Sequence, residues 1–242
     1  MGGGESNTAS GTRSFTAGGQ SNTASGGASV ALGDRSTASG SYSSILYGRF
    51  STVSNDYSGG GGFFASIQGE NSFGTGNRVR TYAYGQTAQA SGNFGGDAGQ
   101  AQVSQIISRR EADLTTGATT TLHLDGASEN FEFDQNSKAA KMRGEWVAVV
   151  ESITGTATGV SVGDVISQDD HFLLKEISGT MSIVGSVTNT NTKNDTSQST
   201  ASMAYSTTSN ELGITFTGAT FSGGGTLTYR IVHRIIMVEV DF

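Results

Sequence analysis

The polar and apolar positions of the first hundred residues recur with a period of seven, and the period hangs on glycine. In-phase glycines run Gly4, Gly11, Gly18, then Gly19, Gly26, Gly33 and Gly40. A one-residue insertion leads to Gly48, Asn55, Gly62, Gly69 and Gly76, and a two-residue insertion to Gly85, Gly92 and Gly99. Three positions after each stands a small residue: Ser14, Ser21, Ser29, Ser36, Ser43, Ser51, Ser58, Ala65, Ser72, Val79, Ala88 and Gly95. Five positions after several of them stands a small or aliphatic one: Ala31, Ala38, Ile45, Val53, Ile67 and Ala90. Offsets three and five differ by two, so on extended backbone both side chains face the same side. Each heptad therefore reads as a short strand and a turn, and two heptads as one coil of a parallel β-roll with a narrow interior. Asn55 substitutes for glycine once. Asn tolerates positive φ better than most residues, so the phased position is expected to need left-handed backbone.

From about residue 101 the pattern changes to alternating strands with polar turns between them. Strands are expected at 103–110, 119–124, 130–133, 144–153, 171–177, 181–187, 201–205, 212–216 and 226–240. Turn chemistry separates them at Asp125-Gly126, 155–164, 189–199 and 222–225. The expected fold class is all-β: a β-roll shaft over residues 1–100 and an antiparallel sandwich- or barrel-like domain over 101–242.

Charge follows the same division. Residues 1–100 balance Arg13, Arg35, Arg49, Arg78 and Arg80 against Glu5, Asp34, Asp56, Glu70 and Asp97, so the net charge of −7 lies entirely beyond them. An acidic chain without clustered lysine and arginine argues against a nucleic-acid partner. The chain has no cysteine and hence no disulfide framework. No apolar run is long enough for a membrane-spanning helix, and no signal peptide is readable. The alternation Ile236, Val238, Val240 before Phe242 is similar to an outer-membrane assembly signal, but Arg234 on the same face favours a soluble edge strand.

The stretch GASVALGDRSTASG (residues 27–40) resembles the head repeat of trimeric autotransporter adhesins, a repeat also found in bacteriophage tail fibres. The order TTTLHLDG, EWVAVVE, FLLKEISGTMSIVGSV, NELGITFTG and TLTYRIVHRIIMVEV over residues 119–240 is similar to the domain that follows such repeats in phage fibres. The resemblance implies a left-handed roll, a homotrimer and a virion fibre that attaches to a host receptor, possibly a glycan. It also implies docking to other tail, baseplate or capsid proteins through the N-terminal end. A head fibre or capsid decoration protein and a bacterial surface adhesin fragment are the alternatives within that class. A polysaccharide-degrading tail spike is the alternative outside it.

Candidate chemistry is sparse. Asp169, Asp170 and His171, with Asn191, Lys193 and Asn194, are assigned to two exposed loops at the tip and to receptor contact. Asp169-Asp170-His171 and His123-x-Asp125 are the densest groups of metal ligands, but neither has a second half, so no metal or cofactor is expected. His233 reads as structural. Glu132 and Asp134 share a strand face and could imitate a glycosidase pair, yet no G-x-S-x-G, H-E-x-x-H or P-loop occurs. The expectation is therefore that the chain is not an enzyme. Phe15, Tyr42, Tyr47, Phe50, Tyr57, Phe63, Phe64, Phe73, Tyr82 and Tyr84 punctuate the roll away from its inward positions. Burial between subunits is expected of them, with sugar stacking as the alternative.

Overall fold

The computed structural model describes residues 3–92, 98–133 and 138–241. They are all-β apart from one three-residue 3₁₀ turn, Thr196–Gln198, and no helix among them is long and apolar enough to cross a membrane. The chain divides into two compact units, Met1–Ile106 with Val238–Phe242, and Ile107–Met237.

The first unit is a parallel β-solenoid of six coils. One sheet stacks β1 (Thr8–Ala9), β3 (Thr23–Ala24), β5 (Thr37–Ala38), β7 (Thr52–Val53), β9 (Ser66–Ile67) and β11 (Arg80–Thr81). The other stacks β2 (Phe15–Gln20), β4 (Val30–Asp34), β6 (Ser44–Arg49), β8 (Gly59–Phe63), β10 (Phe73–Asn77) and β12 (Thr87–Gly92). Partners in adjacent coils stand 14 or 15 positions apart, as in Thr23↔Thr37 and Thr37↔Thr52. The switch between the two spacings falls inside the strands, at register shifts between Ala17 and Gln20 in β2 and between Ile45 and Tyr47 in β6.

The inward positions read from the sequence are buried: Ala31, Ala38, Ile45, Val53, Ala65, Ile67 and Val79 line one apolar column with Ala24, Ala88 and Ala90. Volumes are complementary within it. A Cβ on Gly74 would lie 2.4 Å from Ile67 Cδ1, and one on Gly48 would lie 2.6 Å from Ile45 Cγ2, so the two isoleucines fill space that the glycines leave. Two expected members are displaced. Ser21 is exposed and Asn22 takes the inward slot, because Gly19 and not Gly18 sets the phase there. Gln86, fully buried, continues the serine column below Ser72 in the place read for Ala88.

The expected left-handed backbone is present at part of the phased positions: Gly4, Gly18, Gly19, Gly33, Gly62, Gly76, Gly85, Gly92 and Gly99 have positive φ. Gly11, Gly26, Gly40, Gly48, Asn55 and Gly69 do not have positive φ. Left-handed non-glycine residues stand two places later at every corner from Ser6 to Arg78, among them Ala28, Arg35, Tyr42, Phe50, Tyr57 and Phe64. What Gly11, Gly26, Gly40 and Gly69 require is close approach. A Cβ on Gly26 would fall 2.0 Å from Gly40 O, and one on Gly40 2.1 Å from Asn55 O. The corner backbones of successive coils touch at that point, and no side chain fits between them.

The solenoid ends without a further parallel coil. The 98–106 part of the unit contributes the first residues of β13 (Ala101–Leu114), which pair antiparallel with β12. Gln102 replaces the missing partner of β11 with its side chain: Oε1 accepts from Arg80 N at 3.0 Å and Nε2 donates to Arg80 O at 2.9 Å.

The second unit contains β14 (Thr119–Leu122), β15 (Phe131–Glu132), β16 (Lys138–Thr154), β17 (Val165–Ile177), β18 (Thr180–Asn194), β19 (Ser202–Thr208) and β20 (Glu211–Thr217). It also holds most of β13 and of β21 (Thr226–Asp241). Its longer sheet orders β18-β17-β16-β21-β13, with β16, β17 and β18 antiparallel. A smaller antiparallel sheet gathers β14, β15 and β19 around β20. Trp146, Phe131, Phe133, Met142, Phe216 and Tyr229 pack in its core.

Candidate functional site

The residues assigned to two tip loops lie on neighbouring strands instead. Asp169, Asp170 and His171 belong to β17, and Asn191, Lys193 and Asn194 to β18. Register sets Ser167 opposite Lys193, Asp169 opposite Thr190 and Asp170 opposite Asn189. Strand alternation then divides the group. Ile166, Gln168, Asp170, Phe172 and Leu174 are buried in turn, so Asp170 points inward and is wholly inaccessible. That removes Asp170 from any surface contact. The signal was present in the sequence as the alternation I-x-Q-x-D-x-F-x-L, obscured by the polar Q and D at inward places.

Asp170 is instead the centre of a buried network drawn from separate strands. Its carboxylate accepts from Trp146 Nε1 at 3.0 Å, Tyr205 OH at 2.7 Å, Asn189 Nδ2 at 2.8 Å and Gln168 Nε2 at 2.5 Å. Tyr205 OH also meets His233 Nε2 at 3.0 Å, and His233 Nδ1 meets Ser108 Oγ at 3.2 Å. A Cβ on Gly144 would fall 2.6 Å from both His233 Nε2 and Tyr205 OH, so glycine there admits the pair. Burial lowers the His233 pKa to about 3 and keeps the ring neutral. Burial, then the Asp170 charge, raises that of Tyr205, which stays a donor.

The outward residues form a separate polar surface. Arg143 pairs with Glu145 at 2.9 Å and with Asp169 at 3.4 Å, Arg234 pairs with Glu145, and Asn191 Nδ2 donates to Asp169 at 3.1 Å. Asn191 takes φ 54° beside a register shift, which turns its amide onto the neighbouring strand. Lys193 and Asn194 are exposed beyond it, and His171 is half-buried.

Among the described residues no group of three or more His, Asp or Glu is placed to hold a metal ion. His123 Nδ1 meets Asn130 Oδ1 at 3.0 Å, and Asp125 turns elsewhere: its Oδ1 accepts the amides of Ala127, Ser128 and Glu129 at 2.8, 2.9 and 3.0 Å. Slight burial works against ionisation of Asp125, but those amides outweigh it and lower the pKa to about 2. Asp134 lies outside the described residues, while Glu132 finds a partner the sequence did not suggest. Glu211 stands directly across from it in the β15–β20 pair. Burial first, then the Glu211 charge and a hydrogen bond between the two carboxyls, raises the Glu132 pKa.

The aromatics of the solenoid stack coil on coil. Tyr42 and Tyr57 lie 5.2 Å apart and nearly parallel; Phe50 and Phe64 lie 5.0 Å apart at 11°. Arg35 covers Phe50 at 5.3 Å and Arg78 covers Phe64 at 4.8 Å. The faces of Phe50 and Phe64 are therefore occupied within one chain, which leaves a sugar only their edges.

No protein-family model and no curated protein sequence matches the chain. Solved structures do, two phage tailspike proteins among them. The tailspike protein of Acinetobacter baumannii phage AM24 is 9% identical with a TM-score of 0.29, covering 99% of this chain and 55% of its own. The tailspike protein of Acinetobacter phage vB_ApiP_P1 is 10% identical with a TM-score of 0.31, covering 97% of this chain and 54% of its own. The chain thus spans about half the length of either.

This finding corrects the expectation of a non-enzymatic chain. Both neighbours are tailspike proteins, the class that the sequence reading had placed behind a fibre. That expectation rested on missing nucleophile, metal and phosphate motifs, which exclude those chemistries alone. Paired carboxylates converge only on folding, as Glu132 and Glu211 do, and carry no motif.

Proposed function

We propose that the chain is part of a phage tail fibre or spike that binds the host surface, with three copies packed through one face of the solenoid. The observation that carries this is the unlike chemistry of the two solenoid faces. The β1–β11 sheet shows solvent a row of hydroxyls: Thr8, Thr23, Thr37, Thr52 and Ser66. The β2–β12 sheet shows Phe15, Leu46, Tyr47 and Phe73, exposed by 45, 59, 55 and 47%. A narrow coil cannot hide such side chains itself, and a second copy's face can. The head-repeat resemblance of residues 27–40 supports the same arrangement.

Host contact is assigned to the outward face of β17–β18, with Asp169, His171, Asn191, Lys193 and Asn194. The experiment is competition. Soluble protein is added to phage and host, and adsorption is counted. Wild type is expected to block adsorption and the N191A/K193A/N194A variant to block it less. Equal blocking moves the contact elsewhere. Sedimentation as a monomer at micromolar concentration ends the trimer assignment.

A second reading, cleavage of a surface polysaccharide, is favoured by Glu132 and Glu211. The two carboxyl groups face each other across the β15–β20 pair, and burial with the neighbouring Glu211 raises the Glu132 pKa, the direction a general acid needs. Release of new reducing ends from host polysaccharide, abolished by Glu132→Gln or Glu211→Gln, is the expected result. No release by wild type ends this reading.

A further inference from the structure

The second unit holds a cleft of about 460 Å³ whose walls carry three arginines, Arg109, Arg110 and Arg230. In a chain of net charge −7 such a group asks for an account. Arg230 has one: it pairs with Glu111 at 3.0 Å and Glu151 at 2.5 Å. Asp125, also in the wall, spends its carboxylate on the three amides described above.

Arg109 and Arg110 have no carboxylate partner among the described residues. Arg109 Nη2 donates to the main-chain oxygen of Asp125 at 3.1 Å, and Arg110 Nη1 to that of Gly126 at 3.5 Å. Two consecutive carbonyls therefore hold both guanidinium forks against one peptide. The loop is itself pinned by the Asp125 turn and by the bridge between Arg109 and His123. Arg110 Nε is buried with no acceptor at all. A charged donor left unmatched in partly desolvated surroundings is unfavourable, and an incoming anion relieves it. Val232, 47% exposed, supplies an apolar wall beside the forks.

We propose that this cleft binds a sugar-sized carboxylate, a uronic acid or its like, with Arg109 and Arg110 gripping the carboxylate and Val232 flanking the ring. The volume is that of a small-ligand site, and planar forks suit a planar carboxylate better than a point charge does. The assignment goes beyond the fibre reading and holds or fails separately from it, because the ligand is presented directly to the protein.

The test is calorimetric titration of the intact protein with sodium glucuronate, with glucose and with sodium sulfate. Saturable glucuronate binding is expected, weakened about tenfold or more by Arg109→Gln and by Arg110→Gln, and partly by Arg110→Lys, which keeps charge without the fork. Glucose is expected not to bind, and sulfate to bind more weakly than glucuronate. Arg109 is exposed, so Arg109→Gln decides the matter even where Arg110→Gln lowers the melting temperature. Glucuronate affinity unchanged in Arg109→Gln, equal binding of glucose, or sulfate as tight as glucuronate overturns the proposal.

Discussion

The interior of the solenoid and the interior of the second unit both bury polar groups, and they satisfy them by opposite means. In the solenoid a buried side chain turns to the main chain of its own or the next coil. Ser58 Oγ donates to Gly69 O at 2.7 Å, Ser51 Oγ to Gly62 O at 2.9 Å, and Asn22 Nδ2 to Gly33 O at 2.7 Å. In the second unit Asp170 depends on four side chains from four strands, Trp146, Gln168, Asn189 and Tyr205. The first solution is local and can be tiled; the second is unique. Damage is therefore expected to stay small and repeat-wise in one unit and to be large and cooperative in the other.

The largest expected effect is Asp170→Ala, which removes the acceptor of four donors at once, two of them, on Trp146 and Gln168, buried. We expect about 3–5 kcal/mol of destabilisation, seen as a lower denaturant midpoint of the second unit. A loss under 1 kcal/mol would mean that the network is dispensable. Gly26→Ala comes next, since its Cβ would meet the Gly40 carbonyl carbon and oxygen, and backbone cannot step aside. Overpacking of about 1–3 kcal/mol is expected, and Gly27→Ala is the control, because its Cβ would meet only Ser41 Oγ, at 3.9 Å.

A finer comparison lies within the serine column. Ser58→Ala is expected to lose about 1 kcal/mol, because Ser58 Oγ also accepts Ser72 N. Ser43 Oγ is buried without a partner, so Ser43→Ala is expected to be neutral or slightly stabilising in the same melting experiment.

The most graded contrast is with pH. His233 has a folded pKa below its ordinary 6.5, so it is the unfolded chain that takes up the proton as pH falls. Stability of the second unit is expected to decline from about 6.5 down to about 3, with a slope of up to about 1.4 kcal/mol per pH unit. Asp125, lowered from its ordinary 3.8 to about 2, adds a further loss only below that ordinary value. Glu132 runs the other way, because its raised pKa makes ionisation unfavourable in the folded state as pH rises. Acid melts of His233→Gln that keep the wild-type slope between 6.5 and 3 would remove the His233 assignment.

The same contrast explains what could be read from the chain. Every strand expected beyond residue 101 overlaps one of β13 to β21, and the inward residues of the solenoid stood at their offsets apart from the slots taken by Asn22 and Gln86. Those features are periodic, and period survives in sequence. The close approach at the phased glycines that lack positive φ did not survive, because contact between Gly26 and Gly40 belongs to the stack and not to either heptad. Nor did the shell of Asp170, whose members run from Trp146 to His233 without any fixed spacing. Lys138, fully buried and opposite buried Glu176, is a further case: nothing in KAAKM announces an inward lysine.

Gln102 carries a consequence for solubility. A stack of identical coils is a template that could recruit further strands, whether its own neighbours' or a stranger's. By placing its amide on both main-chain atoms of Arg80, Gln102 spends the bonds through which the β1–β11 sheet would propagate. One side chain thus acts as a chain stopper in the polymer sense, fixing the sheet at a finite number of layers.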